Sequence, residues 1–265
     1  MVNKFKKFLK DFYILLIFLF LYAPIAVLIV FSFNNSKIRG AWAGFTFKWY
    51  EELIYDPIIL KSLYTTLIVA VIATMVSTII GTLAAIGIFN MKKGFLKESL
   101  LSINYLPVLN PDIVTAVALM GLFAFMKLDQ GFLTLTIAHI VFCIPYVILS
   151  IMPKLQQLDK NMVEAAMDLG AKPWYAIKNV VIPQIMPGIT TGALMAFTLS
   201  IDDFVISFFT TGQGIQNLSI SIYSMAKKGI NPSINALSTI MFVVLLILLI
   251  IINKRTAMLS KGEGK

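Results

Sequence analysis

The sequence predicts an all-α integral membrane protein with six transmembrane helices and both termini in the cytoplasm. Three observations predict it. Of 265 residues, 58% are hydrophobic and 13% charged, with a mean hydropathy of +0.87; with the 15 Gly added and the 9 Tyr removed the apolar share is about 60%, against roughly 45–50% for a soluble domain. The apolar residues fall into six runs closed by charge, at about 13–33, 62–90, 100–126, 132–152, 187–210 and 235–253. With the amino terminus inside, 15 of the 22 Lys and Arg fall on the inner face and 7 on the outer, the bias expected of cytoplasmic loops.

These features exclude a soluble enzyme behind one signal anchor, because no polar stretch of domain size remains, and they exclude disorder. One transmembrane domain over 1–265 is expected. Alternating segments of about ten residues, the mark of a membrane barrel, are absent. A single Cys excludes a disulfide within the chain. A net charge of +9 would direct attention to nucleic acid in a soluble protein. Here the charges flank membrane spans, so membrane lipid is the expected contact and nucleic acid is not.

The first run follows Lys4, Lys6, Lys7 and Lys10 and imitates a secretory signal, down to Ala41-Trp42-Ala43 as a cleavage site. Its apolar stretch is longer than the 7–15 residues of a signal core, so it reads as a retained helix. Beyond it, Trp42, Phe45, Phe47, Trp49 and Tyr50 lie among Lys37, Arg39 and Lys48, which suits the headgroup layer, with a substrate or partner contact as the alternative. In the second run Gly81 and Ala85 place small residues one turn apart, a close-packing signal, with a sliding surface as the alternative.

The third run holds Pro107, Pro111 and Asp112, and two prolines predict a break with backbone groups facing a cavity. In the fourth, His139 and Cys143 share a face, but two soft ligands without a third make no metal site, and packing is the simpler role. The fifth run carries Asp202 and Asp203. Acids at membrane depth cost about 2.5–3.5 kcal/mol on insertion scales, so Asp112, Asp202 and Asp203 are candidates for a substrate path, weighed against acids satisfied by helix–helix hydrogen bonds. Adjacent acids project about 100° apart on a helix, so Asp202 and Asp203 cannot both face one way. No Lys or Arg interrupts the spans, so a path lined this way favours a cation.

Between the fourth and fifth runs lies the one sizeable inner loop. Asn161 and Glu164 have capping-box spacing, Gly170 suits a left-handed helix stop, and Pro173 suits the first position of a second helix. The result is a compact helical elbow.

Glu164-Ala165-Ala166, then Gly170, then Val180-Val181-Ile182-Pro183 resembles the EAA loop of ABC importer permeases, with Val180 and Ile182 standing where Ile and Leu are usual. The resemblance implies the type I ABC importer permease (MetI-like) fold, and it implies that Glu164, Ala165, Ala166 and Gly170 belong to a coupling helix that docks on an ATPase. Ser200 to Ser207, then Thr211-Gly212, then Ile222 to Met225, then Asn231 to Thr239, together with Pro111 to Val114, look like the spermidine/putrescine permeases of the PotC type. That likeness runs over about 60–253 and implies a polyamine cargo. Its implied partners are a homologous second permease subunit, two cytoplasmic ABC ATPase subunits and an extracytoplasmic polyamine-binding protein.

The chain lacks a Gly-x-x-x-x-Gly-Lys-Ser/Thr phosphate loop, so it is expected to be no enzyme, to need no cofactor and to draw its power from the docked ATPase. Two rivals remain. One is an ABC permease for another cationic solute such as ferric ion or thiamine. The other is a secondary transporter driven by an ion gradient, which would transport alone without ATP. A membrane-embedded enzyme lacks reacting groups beyond His139.

Overall fold

The computed structural model describes residues 2–36, 41–159, 161–228 and 232–262; Lys37, Arg39 and Asn231, named above, and Lys160 and Lys265, counted above among the inner cations, lie outside the described residues. In chain order the helices are α1 (Val2–Ser32), α2 (Lys48–Tyr55), α3 (Pro57–Asn90), α4 (Phe95–Leu109), α5 (Asp112–Phe125), α6 (Phe132–Gln157) and α7 (Asn161–Asp168). There follow α8 (Pro173–Ala176), a π turn (Ile177–Val181), α9 (Ile182–Asp202), α10 (Val205–Thr210), α11 (Leu218–Lys228) and α12 (Pro232–Gly262). Among the described residues the one isolated β pairing joins Asn34 to Phe45.

Among the described residues five helices are long and apolar enough to cross a membrane: Leu9–Ser32, Pro57–Asn90, Phe132–Gln157, Pro173–Asp202 and Pro232–Ile250. The pair α4 and α5, bent by 109° at a short break, makes a sixth if counted as one span. The third run is therefore not one straight helix. Pro107 and Pro111 explain this: neither has an N–H to donate, and a residue before proline is pushed out of helical conformation. Asn110 is extended, with φ −80° and ψ 148°.

The fifth span also differs from expectation. It runs from Pro173 to Asp202 rather than over 187–210, so the second half of the elbow is the start of the span. Pro183 would clash with a carbonyl four residues back in a regular α-helix. The π turn just before it adds a residue to the ring, and the Ile182 N–H reaches back to the Ile177 carbonyl. At the other end Asp203 is extended and the helix restarts only at Val205.

The chain forms two compact units. In the first, 1–60 with 221–247, the loop after α1 folds on itself. The Asn34 side chain donates to the Ala41 carbonyl at 2.7 Å and accepts from the Ala43 N–H at 2.9 Å. The Trp49 indole donates to the Asn34 carbonyl at 2.8 Å and is 1% exposed. Trp49, in the first turn of α2, is thus packed against this loop, whereas Trp42, Phe45 and Phe47 stay exposed.

In the second unit, 61–220 with 248–265, α6 supplies the core, with Ala138, Phe142, Cys143, Val147, Ile151 and Leu155 buried. Glycines bring α3 and α9 close to it. A Cβ on Gly81 would stand 2.7 Å from Cγ1 of Val147, and one on Gly192 would stand 3.2 Å from the Cα of Val147. One on Gly188 would stand 3.1 Å from the Ser150 carbonyl oxygen. Val147 is therefore held between two helices at near-backbone distance, the packing that small residues permit in membranes.

Candidate functional site

The elbow forms largely as its residues dictate. Gly170 has φ +88°, the Ala171 N–H reaches the Ala166 carbonyl at 3.0 Å, and the Gly170 N–H reaches that of Met167 at 2.9 Å. This pair of bonds is a Schellman stop, which needs a residue tolerant of positive φ. Pro173 opens α8 at its first position. The start of α7 differs from expectation, because the side chain of Asp159, not Asn161, caps it: Asp159 Oδ1 accepts from the Asn161 N–H at 3.0 Å. Glu164 does not reach back, and no residue of α7 is buried. Leu169 is 90% exposed and Trp174 63% exposed, so the elbow presents a bulky apolar tip beside the small Ala165 and Ala166.

The three acids lie at the two helix breaks. Asp112 is exposed at the first position of α5. Asp202 is exposed at the last position of α9. Asp203 turns the other way, and its side chain is 6% exposed. Its Oδ1 accepts from the Ile206 N–H at 3.1 Å, and its Oδ2 accepts from the Ser207 N–H at 2.7 Å and the Ser207 hydroxyl at 2.9 Å. Asp203 therefore caps α10. Both breaks lie against α6: α4 and α5 pack on it, and His139 of α6 reaches Ser207 and Asp203. Helix α10 packs on both α5 and α6.

Sequence reasoning missed what surrounds Asp203. His139, 1% exposed, has Nδ1 2.7 Å from the Ser200 hydroxyl and Nε2 2.9 Å from the Ser207 hydroxyl and 3.5 Å from Asp203 Oδ2. The Asn217 amide donates to the Ser207 hydroxyl at 2.6 Å, and its Oδ1 accepts from the Ile220 N–H at 2.9 Å. The Leu218 N–H donates to the Thr66 hydroxyl at 2.8 Å. Of the two neutral tautomers of His139, one satisfies the set. With the proton on Nε2, His139 donates toward Ser207 and Asp203, Ser207 donates to Asp203, and Ser200 donates to Nδ1. The other neutral tautomer would aim a bare lone pair at a carboxylate. The available signal was a lone His in an apolar helix, together with Ser200, Asp203 and Ser207 at helical spacing.

The far end of α10 is pinned as well. The Thr134 hydroxyl lies 2.8 Å from the Thr210 carbonyl, and the Gln130 amide donates to that of Phe209 at 3.1 Å. Gly212, at φ +71°, lies so close to this loop that a Cβ would stand 2.5 Å from the Gln130 carbonyl oxygen. Among the described residues no group of three potential metal ligands occurs.

Residues 77–257 match the family of binding-protein-dependent transport system inner membrane components. The chain is 37% identical over 251 residues to the spermidine/putrescine transport system permease protein PotC of Shigella flexneri, with 94% of each chain covered. Its fold is similar to a bacterial ABC transporter involved in the import of the acidic polysaccharide alginate, with a TM-score of 0.75 at 16% identity over 96% of both chains. The bacterial alginate transporter in complex with its alginate pentasaccharide-bound periplasmic protein gives a TM-score of 0.71 at 15% identity over 98% of both. This multi-pass membrane chain, with its apolar helices, its elbow and its broken spans, belongs to the binding-protein-dependent transport system inner membrane components.

Proposed function

We propose that this chain is the permease subunit of an ATP-driven importer that carries polyamines such as spermidine or putrescine inward across the bacterial inner membrane. Both termini face the cytoplasm. The observation that carries the cargo class is the pair of helix breaks, each presenting an exposed carboxylate, Asp112 at one and Asp202 at the other. The name of the Shigella flexneri relative supports it. A homologous second permease, two cytoplasmic ATPase subunits and an external polyamine-binding protein complete the assembly, and the periplasmic protein bound by the alginate transporter is a parallel for the last.

Helix electrostatics rank the three acids. Asp202 sits at the carboxyl end of α9, where unpaired carbonyls add negative potential, so it offers a passing amine the strongest attraction. Asp112 sits at the amino end of α5, where helical N–H groups offset part of its charge. Asp203 has its charge taken up by two N–H groups and a hydroxyl, and it shapes the path rather than contacting cargo. Binding stays modest, as passage requires. Glu164, Ala165, Ala166 and Gly170 form the coupling elbow, and the exposed Leu169 and Trp174 fill a groove on the ATPase. Closure of the ATPase dimer draws the elbows together and opens the cavity outward.

The test is uptake of labelled spermidine by cells lacking their own polyamine importers and carrying this chain with its chromosomal neighbours. Uptake is expected to need this chain, to be competed by putrescine, and to fail for Glu164→Lys although that protein reaches the membrane. An intact, ATP-hydrolysing assembly without uptake would sink the polyamine assignment.

A further inference from the structure

His139 is bonded to both sides of the break between α9 and α10. Its Nδ1 meets Ser200, three residues before Asp203, and its Nε2 meets Ser207, four residues after it. The imidazole therefore staples the two helix ends to α6 at a fixed angle, with Asp203 Oδ2 inside the staple at 3.5 Å from Nε2. A His retained for bulk alone would meet apolar neighbours, whereas both ring nitrogens here have polar partners. Asp202 is the next residue along the backbone, so the direction in which its carboxylate projects is set by the same angle.

We propose that His139 is a positioning residue for the cation path: it holds Asp203 turned back over the start of α10 and thereby fixes Asp202 outward, without touching cargo. The inference rests on Asp202 serving the path proposed above. Removing the imidazole leaves the Asp203 carboxylate bonded to α10 alone and takes away the side-chain bond from α6 to Ser200 at the α9 end. Glutamine can replace the staple in part, since its amide carries one donor and one acceptor at similar reach. Phenylalanine fills the space and offers neither.

Uptake of labelled spermidine is measured in the complete assembly, with KM and the maximal rate taken per assembled complex. His139→Phe is expected to raise KM about tenfold, the scale of losing a hydrogen bond to a charged group, while His139→Gln stays within about twofold of the unaltered protein. Because His139 acts through Asp203, His139→Phe should add nothing to KM in an Asp203→Asn background. An unchanged KM for His139→Phe, a Gln variant as impaired as the Phe variant, or additive effects would each overturn the proposal. If His139→Phe does not accumulate, Ser200→Ala replaces it, and an unchanged KM there overturns the proposal equally. A readout independent of cargo is the labelling rate of Asp202→Cys by a charged thiol reagent, Cys143 being buried. His139→Phe should shift that rate several-fold, and an unshifted rate would refute the staple. No uptake by the unaltered assembly would count against the polyamine reading instead.

Discussion

Truncation of Asp203 and truncation of Asp202 should have opposite signatures, although the two residues are adjacent and chemically identical. Asp203→Ala removes a helix cap, worth about 1 kcal/mol. It also removes a hydroxyl-to-carboxylate bond from Ser207, worth about 1.5–3 kcal/mol, while the imidazole N–H keeps the Ser207 hydroxyl, 2.9 Å away, as its acceptor. Because these groups share one network the losses do not add in full, and about 3 kcal/mol is the expected destabilisation. Asp202→Ala removes an exposed carboxylate for which no hydrogen bond is seen, so its effect on stability should stay within about 0.5 kcal/mol. The assay is thermal inactivation of the detergent-purified assembly beside uptake per assembled complex. Asp203→Ala should lower the inactivation temperature markedly, and Asp202→Ala should leave it unchanged while uptake falls. Equal thermal losses for both, or none for Asp203→Ala, would refute the division of roles derived from the break.

Two further contrasts test neighbouring features. Gly212→Ala combines a positive φ, about 1–2 kcal/mol for an L residue, with a collision against the Gln130 carbonyl, whereas Gly214 has φ +87° and nothing within 4 Å of an added Cβ. Thermal inactivation should therefore show a much larger loss for Gly212→Ala than for Gly214→Ala. At the elbow, Asp159→Ala should weaken α7 by about 1 kcal/mol and Asn161→Ala should leave it nearly intact, read as faster amide hydrogen exchange over 162–168 in the first variant alone.

The parts of this fold that were legible are those with local causes. Apolar length marks a span wherever it lies, a glycine at a left-handed stop and a proline at a first turn act through their own dihedrals, and two prolines break a helix without help from a neighbour. The start of α7 was misread because Asp159 and Asn161 are both good caps two residues apart, and local rules do not choose between them. The end of the fifth span was misread because residues 204–210 are as apolar as those before them. The break there is made by the Asp203 carboxylate turning onto α10, which leaves no trace in hydropathy. The three acids were visible as anomalies, and so was the divergence of Asp202 from Asp203, yet which of the two is enclosed was not. The enclosed one is the acid beside His139, which lies 61 residues from Ser200 and 68 from Ser207 and meets them only when α6 packs on both α9 and α10.

From Pro173 to Asp202 the chain is one helix of 30 residues, about 45 Å from end to end. Its first residue adjoins the Schellman stop, and its last bears an exposed carboxylate. Between them, at Gly188 and Gly192, it touches α6 almost backbone to backbone. Such a beam is held on α6 over its second half, at Ala196 and Ser200 as well as at the two glycines, so sideways motion at the elbow bends the first half instead of turning the whole. The π turn, wider than the rest of the helix, lies in that first half, where bending costs least.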